Sequence, residues 1–141
     1  MSLAYWRDIC ILHFPEIDDE HAELLSILKA IYQDIQSGED GQPLQAKLHH
    51  LFHVALNHCE SEERLMESYH YPDSQDHADA HEELLNTVLN LRLKAEEQQE
   101  KLTLDMIHDI LAWLNRHSWD YDLRLVQFIQ QRQQRETLLF N

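Results

Sequence analysis

The stretch that decides the fold is His58–His81, HCESEERLMESYHYPDSQDHADAH. It opens with His58-x3-Glu62 and closes with His77-x3-His81, and between them lies Tyr69-His70-Tyr71-Pro72-Asp73-Ser74, a turn signal built on a proline. A spacing of four sets two side chains one turn apart on the same helix face. The stretch therefore reads as two helices meeting at the proline, each offering a pair of metal-competent groups. The pair centres, Glu60 and Asp79, are equidistant from the point between Tyr69 and His70. In a helical hairpin, residues equidistant from the turn share a level, so the two pairs are expected in one layer.

The same arithmetic extends in both directions. His21 and His58 are equidistant from the point between Glu39 and Asp40, inside the loop signal Ser37-Gly38-Glu39-Asp40-Gly41-Gln42-Pro43. His81 and His117 are equidistant from Gln99, in the polar run Glu96–Thr103. Three hairpins thus bring His21, His58, Glu62, His77, His81 and His117 to one height. Around them each segment carries inward positions at alternating spacings of four and three, such as Leu24, Leu28 and Ile31, or Leu44, Leu48 and Leu51, or Leu84, Val88 and Leu91, or Ile107, Ile110 and Leu114. The pattern predicts an all-α fold, an antiparallel up-and-down four-helix bundle with short connections. A single domain, 1–141, is expected: an arm over 1–15 ending at Phe14-Pro15, the bundle over 16–122, and a C-terminal helical extension over 123–141. Asp73 or Ser74 is expected to cap the third helix, and Thr103 or Asp105 to start the fourth.

Composition narrows what such a bundle does. Two glycines and three prolines in 141 residues are too few turn residues for a β-sandwich or barrel, and no GxxxxGK or GxGxxG phosphate cradle can be written. Eleven Lys+Arg against 26 Asp+Glu give a net charge of −15, which repels nucleic acid and anionic lipid. No apolar run approaches the ~20 residues of a membrane span, and the first ten residues lack the basic-then-apolar layout of a signal peptide. A cytoplasmic protein without membrane insertion is expected. Cys10 and Cys59 form no CxxC pair, and Cys59 reads as an ordinary packed thiol. Eleven histidines are the unusual count.

A buried imidazole or carboxylate without a partner costs free energy, so six such groups at one level of an apolar bundle point to metal. Five imidazoles are too many for one tetrahedral zinc, and the shortage of acids in the layer argues against calcium or magnesium. Imidazole with carboxylate suits iron, copper, zinc or nickel. A carboxylate can bridge, so the set is sized for two ions. With about six positions per iron, five His, two bridging carboxylates and a bridging oxide or hydroxide leave one vacancy, enough for a small molecule. Spacing leaves the second carboxylate open. Asp122 follows His117 by five, about 140° away on a regular helix, and Tyr121 at four has the better angle. Asp122 turns inward only through a π-type turn or a kink, and nothing in the spacing prefers it to Asp120.

Ile17-Asp18-x2-His21, His58-x3-Glu62-Glu63-x2-Met66, Tyr71-Pro72, His77-x3-His81 and Trp113-x3-His117-x4-Asp122 together resemble the hemerythrin family, specifically the bacterial single-domain hemerythrins, across residues 6–122. The resemblance implies two non-heme iron ions. His77, His81 and His117 would hold one, His21 and His58 the other, and Glu62 and Asp122 would bridge both together with an oxo or hydroxo group. It implies reversible O2 binding at the iron beside His21 and His58, for oxygen carriage, storage or delivery, and no enzymatic activity. The chain departs from the family at three positions: Glu20 stands where Gln is usual, Cys59 where Phe is usual and Ser118 where Ile is usual. Glu20 is expected to be a surface change. The smaller, more polar residues at 59 and 118 are expected to enlarge the ligand pocket or admit water.

His13, His49, His50, His53, His70 and His108 read as surface or capping residues, with His53 near enough to the stripe to stand behind a ligand. Trp113, Trp119, Tyr69 and Tyr121 read as core. Two other function classes remain: O2 or redox sensing through an unidentified protein partner, and a diiron oxidase, peroxidase or nitric-oxide-handling enzyme. Diiron oxidases in bundles usually use four carboxylates and two His. The His-rich set here, with no evident spare carboxylate as a proton shuttle, favours binding. A monomer or weak oligomer is expected.

Overall fold

A computed structural model describes residues 11–97 and 100–140 of the chain. The first ten residues of the expected arm, Cys10 among them, lie outside the described residues. The described chain is helical, without strands: α1 (Pro15–Gln36), α2 (Gln42–Ser68), α3 (Ser74–Glu97), α4 (Leu104–His117), a π-helical turn (Ser118–Asp122) and α5 (Leu123–Phe140). Helix α2 packs against α1 and α3, and α4 packs against the same two helices, forming a helical bundle. None of these helices is long and apolar enough to cross a membrane.

Local chemistry sets the helix ends. Pro15 opens α1, where its missing N–H loses nothing. Asp18 in the first turn accepts from the backbone N–H of Leu12 at 2.8 Å and of Phe14 at 3.1 Å, which holds the preceding residues over the helix start. Leu12 is thereby buried with Ile17 and Val126. Gly38 adopts φ 86° just past α1, a left-handed conformation that glycine takes without steric cost. Pro43, expected in the loop, sits in the first turn of α2 for the same reason that Pro15 opens α1. The Asp73 carbonyl accepts the His77 N–H at 3.1 Å, so Asp73 stands at the head of α3. Thr103, not Asp105, caps α4: its hydroxyl accepts from the Met106 N–H at 3.3 Å.

The polar inward positions of the bundle fall between two apolar regions. On one side lies the main core, where Leu28, Ile31, Leu48, Leu51, Ile107 and Leu111 are all buried. Each such side chain contributes about 1.5–3 kcal/mol relative to exposure. On the other side, Met66 and Tyr71 pack with Leu125 and Ile129, and Leu12 and Ile17 with Val126. Beyond that contact, residues 131–139 of α5 are exposed, ending in Leu138 and Leu139.

Candidate metal centre

The structure brings all seven expected side chains together. Ligand atoms of Glu62, His77, His81, His117 and Asp122 lie within 4.8 Å of one another, and those of His21, His58, Glu62 and Asp122 do the same. Glu62 and Asp122 belong to both groups. None of the seven is more than 5% exposed.

Asp122 reaches the layer through the π-helical turn Ser118–Asp122. Bonding of the i→i+5 kind returns the fifth residue to the starting face. The angle that favoured Tyr121 is therefore overturned: Asp122 is fully buried, whereas Tyr121 is half-buried and Asp120 exposed. Tyr121 stacks on the His117 ring at 5.1 Å, as Trp113 does at 4.7 Å, so the ring of this inward histidine is held by aromatics one turn away in each direction.

Distances across the layer are short. His77 Nε2 lies 2.9 Å from Asp122 Oδ1 and 3.4 Å from Glu62 Oε2, and His117 Nε2 lies 3.1 Å from Asp122 Oδ1. His81 Nε2 is 3.4 Å from Glu62 Oε1, His58 Nε2 is 2.6 Å from the same oxygen, and His21 Nε2 is 3.0 Å from Asp122 Oδ2. Burial opposes charge on His58, but the carboxylates of Glu62 and Glu20 outweigh it and hold its pKa up at about 9. Burial is likewise outweighed at His77 by Asp122 and Glu62, again giving about 9. At His117 burial wins and the pKa is lowered. Burial and the Glu62 charge push Asp122 up, but His117, His21 and His77 bring it down to about 2. Glu62 is held well below the usual carboxylate range, its burial outweighed chiefly by His58.

Proximity has not produced a closed hydrogen-bond network. Both carboxylate oxygens of Glu62 and of Asp122, and both ring nitrogens of His77, His81 and His117, lack a hydrogen-bond partner among the described residues. The contacts are close in distance but misaligned for N–H donation. Buried groups left in this way are costly, and cations between them would satisfy the carboxylate oxygens and the Nε2 of each ring. The donor set therefore fits metal. Five imidazoles and two carboxylates are borderline-soft nitrogen and hard oxygen donors, a set suited to iron, copper, zinc or nickel.

Two carboxylates stand behind the layer that the sequence reading missed. Glu20 is no surface change: its Oε1 accepts from His58 Nδ1 at 3.0 Å. Glu63 Oε2 comes to 3.5 Å from His81 Nδ1. A signal for Glu20 was available, because Glu20 and His58 are equidistant from Glu39 in the first turn.

Exposure bears out some of the other expectations and revises two, those for His53 and Trp119. His53 is exposed and does not stand behind a ligand, and His13, His50 and His70 are exposed too. His49 pairs with Glu96 at 2.9 Å, and His108 lies against Tyr32 at 5.4 Å. Trp119 is 54% exposed rather than core. Cys59 packs within the apolar core, and burial pushes its thiol pKa up. Ser118 is buried in the π-helical turn with its hydroxyl unpartnered among the described residues. No protein-family model matches the chain, and no curated protein or solved structure matches it either.

Proposed function

We propose that this chain is a non-heme diiron protein of the hemerythrin type that binds O2 reversibly, for its carriage, storage or delivery, in the cytoplasm. The observation that carries the reading is the unequal division of the layer. Five side chains converge in one group and four in the other, and the groups share Glu62 and Asp122. Two shared carboxylates are what a pair of neighbouring ions requires, and the four-membered group leaves one more position for a small ligand. Iron held there with an oxo or hydroxo bridge would supply the electrons that make O2 binding reversible. The chain's part is to hold and shield. His77, His81 and His117 complete one end, His21 and His58 leave the other end less crowded, and the apolar regions on either side keep bulk water out.

The bundle is read as antiparallel and up-and-down. In support, Asp34 meets Lys47 at 2.6 Å and Glu20 meets His58 at 3.0 Å, pairs that straddle the α1–α2 turn at nearly equal distances from it. An oxidase or peroxidase gains one observation, the carboxylates of Glu20 and Glu63. Both stand at Nδ1 of rings whose Nε2 faces the layer, so neither is placed to pass a proton inward except through an imidazole. Binding is therefore the favoured function.

Metal analysis of protein made in iron-rich medium should give two Fe per chain and little Zn. A reproducible stoichiometry of one would end the dinuclear reading. The optical spectrum decides function: reduced protein should gain a visible absorption on exposure to O2 and lose it when O2 is removed. Turnover of O2 or peroxide without such an absorption would move the protein to the enzyme class.

A further inference from the structure

The imidazoles of the layer differ in what stands behind them. His58 Nδ1 is hydrogen-bonded to Glu20 Oε1 at 3.0 Å. By contrast, Nδ1 of His77, of His81 and of His117 has no hydrogen-bond partner among the described residues. Glu63 reaches 3.5 Å from His81 Nδ1, without the alignment of a hydrogen bond. Glu20 is on α1, next to His21, and its side chain is 28% exposed, so the contact ties α1 to α2 at the edge of the layer.

A carboxylate only accepts, so when the His58 ring is neutral its proton stays on Nδ1 and the Nε2 lone pair faces Glu62 and the interior. Such an acceptor fixes both the tautomer and the ring orientation of a metal-binding histidine and increases its electron donation. Glu20 also carries a full negative charge, where a glutamine would offer only a dipole.

We propose that Glu20 is a positioning residue for the His21/His58 end of the centre. It locks the His58 ring with Nε2 free, and its charge favours the oxidised state of the ion held at that end over the ion held by His77, His81 and His117. The inference rests on the diiron reading and adds to it a source of redox inequality built from this chain's own residues.

Two variants separate the two effects. Glu20→Ala removes acceptor and charge together. Glu20→Gln keeps an acceptor and removes the charge. In titrations of metal-free protein with Co(II), Glu20→Ala should weaken one of the two bound ions about 10–100-fold, and Glu20→Gln should bind both much as the wild type does. In redox titrations of iron-loaded protein, Glu20→Gln should raise one midpoint potential. A tenfold loss in preference for the ferric state corresponds to about 59 mV for one electron. Glu97→Gln, at an exposed position at the far end of α3 from His77 and His81, should leave both readouts near the wild-type values.

Co(II) affinity unchanged in Glu20→Ala would overturn the orienting role, and an unmoved potential in Glu20→Gln would overturn the charge role. Should Glu20→Ala fail to fold by circular dichroism, the potential of Glu20→Gln decides alone. A wild-type chain that takes up fewer than two ions overturns the diiron reading and this inference with it. Two ions in the wild type with no effect in either variant overturns only this inference.

Discussion

One bundle contains two kinds of interior. Below the layer, around Leu28, Ile31, Leu48 and Ile107, the four helices meet through hydrocarbon that needs nothing further. A few turns along the same helices, at the same spacing, they meet through five imidazoles and two carboxylates, and both oxygens of Glu62 and Asp122 and both ring nitrogens of His77, His81 and His117 lack a hydrogen-bond partner among the described residues. The first region drives folding by removing apolar surface from water. The second consumes part of that stability and returns it only when something binds there. Helix periodicity is indifferent to this difference. Residue chemistry at the same stripe positions creates it.

The sharpest way to break the comparison is to remove a group shared by both halves of the layer. Asp122→Ala or Glu62→Ala should reduce bound iron from two per chain to less than one, whereas His53→Ala and His70→Ala, at exposed positions, should leave two. If His53→Ala strips iron and Asp122→Ala does not, the assignment of the layer is wrong. Next in size is the hydrocarbon end. Leu48→Ala at a fully buried site should cost about 2–5 kcal/mol in urea unfolding. That cost should be the same with and without metal, and a cost confined to the metal-loaded protein would show the two regions are not separable.

Acidity acts with opposite signs on His58 and His77 and on Asp122. His58 and His77 have folded pKa values of about 9, above the ordinary 6.5, so their contribution to metal-free stability is full below about 6.5 and fades as pH rises through 9. Asp122, lowered to about 2, contributes above its ordinary value of 3.8 and loses that contribution as pH falls toward 2. Metal must displace the imidazole protons. Co(II) affinity should therefore climb between pH 6.5 and 9, with about two protons released per chain near neutrality, as measured by uptake in weakly buffered indicator. A flat profile would mean those rings are not ligands. The smallest effect lies at the entry to α4. Thr103→Ala removes the bond to the Met106 N–H and should cost about 1 kcal/mol in both metal states by thermal unfolding.

Much of this was legible in the sequence because, in a helical hairpin, residues equidistant from the turn share a height. The level of His21, His58, Glu62, His77, His81 and His117 follows from three turn positions, and the described helices run between those turns. What spacing could not supply was rotation about the helix axis. Asp122 lies inward only because the backbone abandons the α repeat at Ser118, and resemblance, not angle, pointed to it. Glu20 was misjudged because it is one residue off the inward stripe. The stripe records what faces the bundle centre, whereas Glu20 faces the neighbouring helix. Trp119 was misjudged through the hydrophobicity of its ring, which the π-helical turn leaves 54% exposed. Cys59, expected as an ordinary packed thiol, is buried in the apolar core, and Ser118 is buried in the π-helical turn.

The π-helical turn also sets the phase of everything after it. Counted from Asp122, the buried residues Leu125, Val126 and Ile129 follow at three, four and seven, an undisturbed α rhythm, but the rhythm is offset by one residue from that of α4. One residue of offset is about 100° of rotation. Reverting Ser118–Asp122 to regular α-helix would turn Asp122 out of the layer and, by the same screw motion, swing Leu125 and Ile129 away from Met66 and Tyr71. The aim of one carboxylate and the seating of the last helix are thus a single choice of helical phase, and neither can be altered while the other is kept.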